Sequence, residues 1–91
     1  MFLVIKIVER ELSSVDTAES KNAAYEIMKK DFVQEFKNKY ADELVERNLD
    51  FERLYTEVVG DDCELLDNCA WMNNAKRYCD IDWYITKIWR R

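Results

Sequence analysis

The sequence predicts an α+β domain with element order β-α-(α)-β-β. A three-stranded, mainly antiparallel sheet would carry one long amphipathic helix packed on one face. Three observations predict it. An apolar run at Phe2–Val8 is β-branched on both faces, a row of large side chains recurs every four residues from Ala24 to Tyr40, and apolar residues alternate near the end, around Trp83.

In the first run, Phe2, Val4 and Val8 share one face and Leu3, Ile5 and Ile7 the other; only Lys6 breaks the pattern. A strand over residues 2–9 with two apolar faces is central in its sheet, or covered on both sides. The segment Ser13-Ser14-Val15-Asp16-Thr17 then reads as a turn ending in helix-cap residues, with Asp16 or Thr17 accepting the first free amide protons. Residues 17–40 follow as a helix. Ala24, Met28, Phe32, Phe36 and Tyr40 form its apolar row, widened by Tyr25, Ile27 and Val33, while Lys21, Glu26, Lys30, Lys37 and Asn38 lie opposite. Asp31 and Glu35 flank the row and are expected in solvent at its edge.

Residues 41–59 form a weaker helical region broken near Asn48 and Asp50, so Asp50 caps a short helix over 50–59. Gly60 suits the left-handed position after it. Two strands close the chain, 63–72 and 81–89. In the second, Trp83 and Ile85 share one face and Tyr84 and Ile88 the other. The connection from Asn73 to Asp80 is too long for a two-residue turn and reads as a mobile loop or a bulged hairpin. The expected sheet order is first, last, middle. Three strands under one helix layer leave a second apolar face that either the short helix or another chain must cover, so a homodimer is expected.

Ninety-one residues make one domain with a modest core. Three Trp, five Tyr and four Phe make that core dense, and one Gly with no Pro favours long regular elements. No glycine-rich segment can cradle a phosphate. The opening "MFLVIKIVERE" lacks a basic leader, an unbroken apolar stretch and a small-residue cleavage site, and no run reaches the length of a membrane span. With an odd number of cysteines, this points to a reducing cytoplasm.

The net charge of −5 is unevenly placed. Residues 1–41 are neutral; residues 42–67 carry ten acids against Arg47 and Arg53, hence −8; residues 68–91 come to +3. Such a chain is a poor nucleic-acid binder, and its acidic middle suits a basic protein surface. The acidic candidates for partner contact are Asp42, Glu43, Glu46, Asp61, Asp62 and Glu64.

Chemistry finds little support. Cys63, Cys69 and Cys79 are spaced by six and ten, without the close pairs or histidines zinc requires. Cys69 and Cys79 lie towards each other across the expected hairpin, but the compartment argues against a disulfide. Asp61-Asp62 after Gly60 fits a turn better than a cation loop, and Asp82 is expected to serve the loop backbone. With no histidine, and with Ser13 and Ser14 beside a helix cap, nothing supplies a tuned base and nucleophile. No metal or cofactor is called for, and the chain reads as a non-enzyme. Trp71, Tyr78, Trp83, Tyr84 and Trp89 suit a core or a protein contact better than a base-stacking platform, since no basic groove accompanies them. The loop residues Asn73, Asn74, Lys76, Arg77 and Tyr78 are the second candidate contact.

At "DDCELLDNCAWMNN" and "DIDWYITKI", and in the helix pattern "TAESKNAAYEIMKKDF", the chain resembles a loose group of small uncharacterised proteins of Firmicutes and their phages or mobile elements. Ala70, Trp71, Asn73, Asp82, Trp83 and Ile85 carry the likeness. The group lends no activity and no catalytic residues. Its genomic setting implies an inhibitor of host defence, in the manner of anti-CRISPR proteins. Three readings follow: an acidic interaction protein that blocks a nucleic-acid-binding surface, a homodimeric structural domain, and a weak nucleic-acid binder using Lys76, Arg77, Lys87, Arg90 and Arg91.

Overall fold

The computed structural model describes residues 1–75 and 78–88. Five strands and three helices follow in the order β1 (Phe2–Val8), β2 (Glu11–Ala18), α1 (Lys21–Lys39), α2 (Ala41–Glu46), α3 (Phe51–Val58), β3 (Cys63–Leu65), β4 (Cys69–Met72) and β5 (Ile81–Lys87). The fold is α+β. The sheet is antiparallel throughout, in the order β2-β1-β5-β4-β3, so it has five strands rather than three. The first-last-middle order of the expected strands is retained within it. Of the segment expected as a strand over 81–89, Trp89 lies outside the described residues.

Two differences account for the extra strands. Residues 13–17, read as a turn, belong to β2. The turn lies earlier, at Glu9-Arg10, where Val8 pairs directly with Glu11. Both turn residues have positive φ, 52° and 69°, the geometry of the tight hairpin turn usually built from Asn and Gly. Here it is clamped instead. The Glu9 amide donates to the Asp80 carbonyl at 2.9 Å, and the Asp80 amide donates to Glu9 Oε1 at 2.6 Å. The second difference splits residues 63–72 into β3 and β4 around Asp67-Asn68, where the Leu66 amide bonds the Cys69 carbonyl at 2.9 Å.

Moving the turn back shortens α1 at its start. Its cap is Ser20, not Asp16 or Thr17, and the Ser20 hydroxyl accepts from the Ala23 amide at 3.0 Å. Asp50 caps α3 as expected, accepting from the Arg53 amide at 2.9 Å, and Gly60 beyond it has φ +88°.

Opposed residues of an antiparallel pair point to the same side, so the registers sort the strand residues into two faces. On the helix side run the rows Ser14–Lys6–Trp83–Ala70–Leu65 and Glu11–Val8–Ile81–Met72–Cys63, with Val4 beside Ile85. The core gathers here: Val4, Ala70, Met72, Cys63, Ile81 and Trp83 pack with Ala24, Met28, Phe32 and Phe36 of α1 and Leu54 of α3. Phe51 and Tyr55 set their rings against Phe32 and Phe36 at centroid distances of 4.9–6.3 Å. The short helix therefore thickens the covered side and does not reach the other one. Among the described residues, no helix is long and apolar enough to cross a membrane.

Candidate functional site

The helix side and the connections between its elements carry most of the predicted acids. Asp42, Glu43 and Glu46 stand exposed on α2, and Asp61 is exposed in the turn after α3. Among the described residues, no cation comes within ion-pair distance of these four; Arg47 is engaged by Glu57 at 3.1 Å. Asp62 accepts a hydrogen bond from the Tyr40 hydroxyl at 2.8 Å. This joins the 61–62 turn to Tyr40, the residue that leads into α2. Burial, the Asp62 bond and the nearby charges, Glu43 among them, hold the Tyr40 hydroxyl far above its ordinary range. Glu64 separates from the group: it sits on β3 opposite Trp71, on the uncovered side of the sheet.

The predicted contact loop is firmly tied where it is described. The Asn73 amide donates to the Asp62 carbonyl at 2.9 Å, and the Asn73 carbonyl accepts from the Lys39 ammonium. The Asn74 amide donates to Asp80 Oδ1 at 3.0 Å, so Asp80, not Asp82, serves the loop backbone. Ala75 is buried and pins the loop from within, while Tyr78, φ +62°, is 86% exposed. Lys76 and Arg77 lie outside the described residues, as do Arg90 and Arg91.

The thiols take separate places. Cys63 is buried in the core, and burial, reinforced by Asp62 and Glu64 and opposed by Lys39, pushes it up to about 11. A thiol so poorly ionised at neutral pH is a weak nucleophile. Cys69 pairs in register with Tyr84 on the uncovered side, away from the loop that holds Cys79. Among the described residues, no three His, Cys, Asp or Glu side chains gather to hold a metal ion.

One cluster has a role that the helical pattern hid. Lys6, the lone charge in β1, reaches Asp31 at 2.9 Å and Glu35 at 3.1 Å on α1, and the Trp83 indole donates to the same Asp31 carboxylate at 2.8 Å. Lys6 also lies 5.8 Å from the Trp83 ring centroid. Burial alone would lower the Lys6 pKa, but the bonds and charges of Asp31 and Glu35 outweigh it and raise it. Asp31 and Glu35 are therefore part of the helix-sheet contact: Glu35 is largely covered, while Asp31 keeps 42% of its side chain exposed at the rim as expected. The signal was a single lysine in an apolar strand and two acids four apart flanking an apolar helical row. The cluster fixes how α1 lies on the sheet.

Taken together, these features are a set of exposed carboxylates, a loop tied by hydrogen bonds and an ion cluster between helix and sheet. No family model, no curated protein and no solved structure matches the chain.

Proposed function

We propose that this protein is a non-catalytic binding module that occupies a basic, nucleic-acid-binding surface of another protein with its acidic side. The observation that supports the reading is the grouping of Asp42, Glu43, Glu46 and Asp61 as exposed carboxylates with no cation within ion-pair distance among the described residues, beside Asp62. Acids left unpaired inside a molecule hold a negative potential open to a partner. Such a potential accelerates encounter with a basic surface and rejects acidic ones. An inhibitor of a host-defence protein, carried by a phage or mobile element, is the setting that the resemblance of the 61–74 and 80–88 segments implies. Exposed Asn73, Asn74 and Tyr78 would extend the contact.

The test replaces Asp42, Asp61 and Asp62 by Asn and Glu43 and Glu46 by Gln. The Asn at 62 keeps an oxygen for the Tyr40 hydroxyl, so the fold is spared. Affinity capture from a bacterial lysate, read by mass spectrometry, is expected to recover basic nucleic-acid-binding proteins with the native chain and to lose them with the neutralised one. Recovery of the same proteins by both chains would rule the acidic side out.

A further inference from the structure

The side of the sheet away from the helices is largely apolar. Its rows run Val15–Ile5–Tyr84–Cys69 across four strands, Leu12–Ile7–Asp82–Trp71–Glu64 across five, and Thr17–Leu3–Thr86 across three. None of Leu3, Ile5, Ile7 and Trp71 belongs to the core cluster, and Leu12, Val15 and Tyr84 are 66%, 47% and 46% exposed. A contiguous apolar patch of this kind on a small domain marks a contact. We propose that its occupant is a second copy of this chain, stacked sheet on sheet.

Charge placement selects that occupant. Among the described residues, six charged residues lie on the strands, Lys6, Glu11, Asp16, Glu64, Asp82 and Lys87, and of these only Glu64 and Asp82 point to this side. Both stand in one outer row. A strongly basic or acidic partner would find little here to pair with, whereas an equally charge-poor face, able to set its two carboxylates against hydroxyls, is supplied by the chain itself. A two-fold axis crossing the strands along the middle row lays Val15, Ile5 and Tyr84 over the same residues of the second copy. It also lays the outer rows over each other in reverse, so the hydroxyl row of Thr17 and Thr86 meets the Asp82 row. Carboxylates then face hydroxyls and not each other. The contact is isologous and closes at two copies, and the twist of the sheets sets them roughly 30° apart.

Size sets the strength. Strands of seven, eight, three, four and seven residues, each residue taking about 3.3 Å along its strand and about 4.8 Å across, give a face on the order of 450 Å². That is below the roughly 800 Å² per partner of a standard stable interface. The dimer is therefore reversible and depends on concentration. It leaves both acidic helix sides outward, and it stands independently of the function proposed above.

Sedimentation from about 5 to about 500 µM tests it. The expected result is a weight-average mass rising from 11.0 kDa towards twice that value. A chain that stays single over this range, or grows past two copies, overturns the proposal. Val15→Lys places a cation at an exposed edge position, which the monomer tolerates, and is expected to weaken the dimer about tenfold or more by burying a charge. Thr86→Asp sets carboxylate against carboxylate and is expected to weaken it too. Either variant pairing like the native chain overturns this stacking. Maleimide labelling of Cys69 gives a site-specific readout: it is expected to slow as the dimer fills. Labelling that stays constant while the mass doubles would place the contact elsewhere, such as the β2 edge, and overturn the proposal.

Discussion

One residue's step along the same strand separates two environments. Trp83 is 1% exposed and Ala70 and Ile81 3%, while their neighbour Tyr84 is 46% exposed and Val15, two strands away, 47%. The residue types on the two faces are similar: aromatics, β-branched side chains and a cysteine on each. What differs is the cover. On one face α1 and α3 supply Phe32, Phe36, Phe51 and Tyr55, so rings pack against rings and even a lysine is largely covered, held by two carboxylates. On the other face, among the described residues, Leu3, Ile5, Ile7 and Trp71 stay outside the core cluster that the helices complete. Burial in this protein is therefore a property of helix placement more than of strand sequence, and the stabilities of the two faces should differ accordingly.

The largest expected effect lies on the covered face. Phe32 touches Phe36, Phe51, Tyr55 and Trp83, with centroid distances of 5.4–6.4 Å, and is fully buried. Phe32→Ala should cost about 3–5 kcal/mol, because the lost transfer energy is joined by a cavity the surrounding rings cannot collapse. Urea unfolding followed by tryptophan fluorescence measures it. For a domain whose whole stability is about 5–15 kcal/mol, this change alone brings the fold near its limit. A cost under about 1 kcal/mol would mean that α1 is not held on the sheet by this contact.

That face also carries the pH dependence. Burial first, with nearby acids, pushes Cys63 up to about 11 and raises Tyr40; burial likewise raises Tyr55; Lys6 is raised because its carboxylate partners outweigh its burial. In each case the folded state holds its proton more tightly than the unfolded chain does. Stability is then fully present below the unfolded values and falls as pH rises, beginning near pH 9 with the thiol and continuing past 10 with the phenols and the lysine. The thiol alone contributes on the order of 2 kcal/mol over that range. Thermal unfolding between pH 7 and 11 should show a flat region followed by a decline, and Cys63→Ala should delay the onset of the decline. Stability unchanged up to pH 11 would contradict the placement of these groups.

Much of this face is legible in the sequence. The row Ala24, Met28, Phe32, Phe36 and Tyr40 marks the buried side of α1, Asp50 and Gly60 bracket α3, and the alternation of Trp83 and Ile85 against Tyr84 marks the sides of β5. β2 escaped because its identity rests on backbone pairing. Seven of its eight residues are exposed, so no apolar period announces it. Its turn uses Glu9-Arg10, held by Asp80 some seventy residues on, in place of a local Asn-Gly signal. The Lys6 cluster escaped for a related reason: an acid beside an apolar helical row reads as rim until a strand brings its cation. Of the acidic candidates, Asp42, Glu43, Glu46, Asp61 and Asp62 fall on the helix side. Glu64 lies on the other side of the sheet, which could not be read from the sequence because β3 is so short that its side depends on where the hairpin turns.

The smallest effect sharpens the contrast most. Leu12 is a large apolar residue, as Phe32 is, and it stands 66% exposed on β2 in the uncovered row. In a single copy, Leu12→Ala removes side-chain atoms that water already reaches, and its cost should stay within about 0.5 kcal/mol. Urea unfolding at a concentration low enough to keep the chain single measures this value, because association would add its own concentration-dependent stability. At a concentration a hundredfold higher, the native chain should gain stability and the Leu12→Ala chain gain less, since the side chain then loses a partner surface rather than water. A cost of several kcal/mol at low concentration would show that something within one copy already covers this face. The two sides would then be alike, and the reason to expect a second copy would disappear.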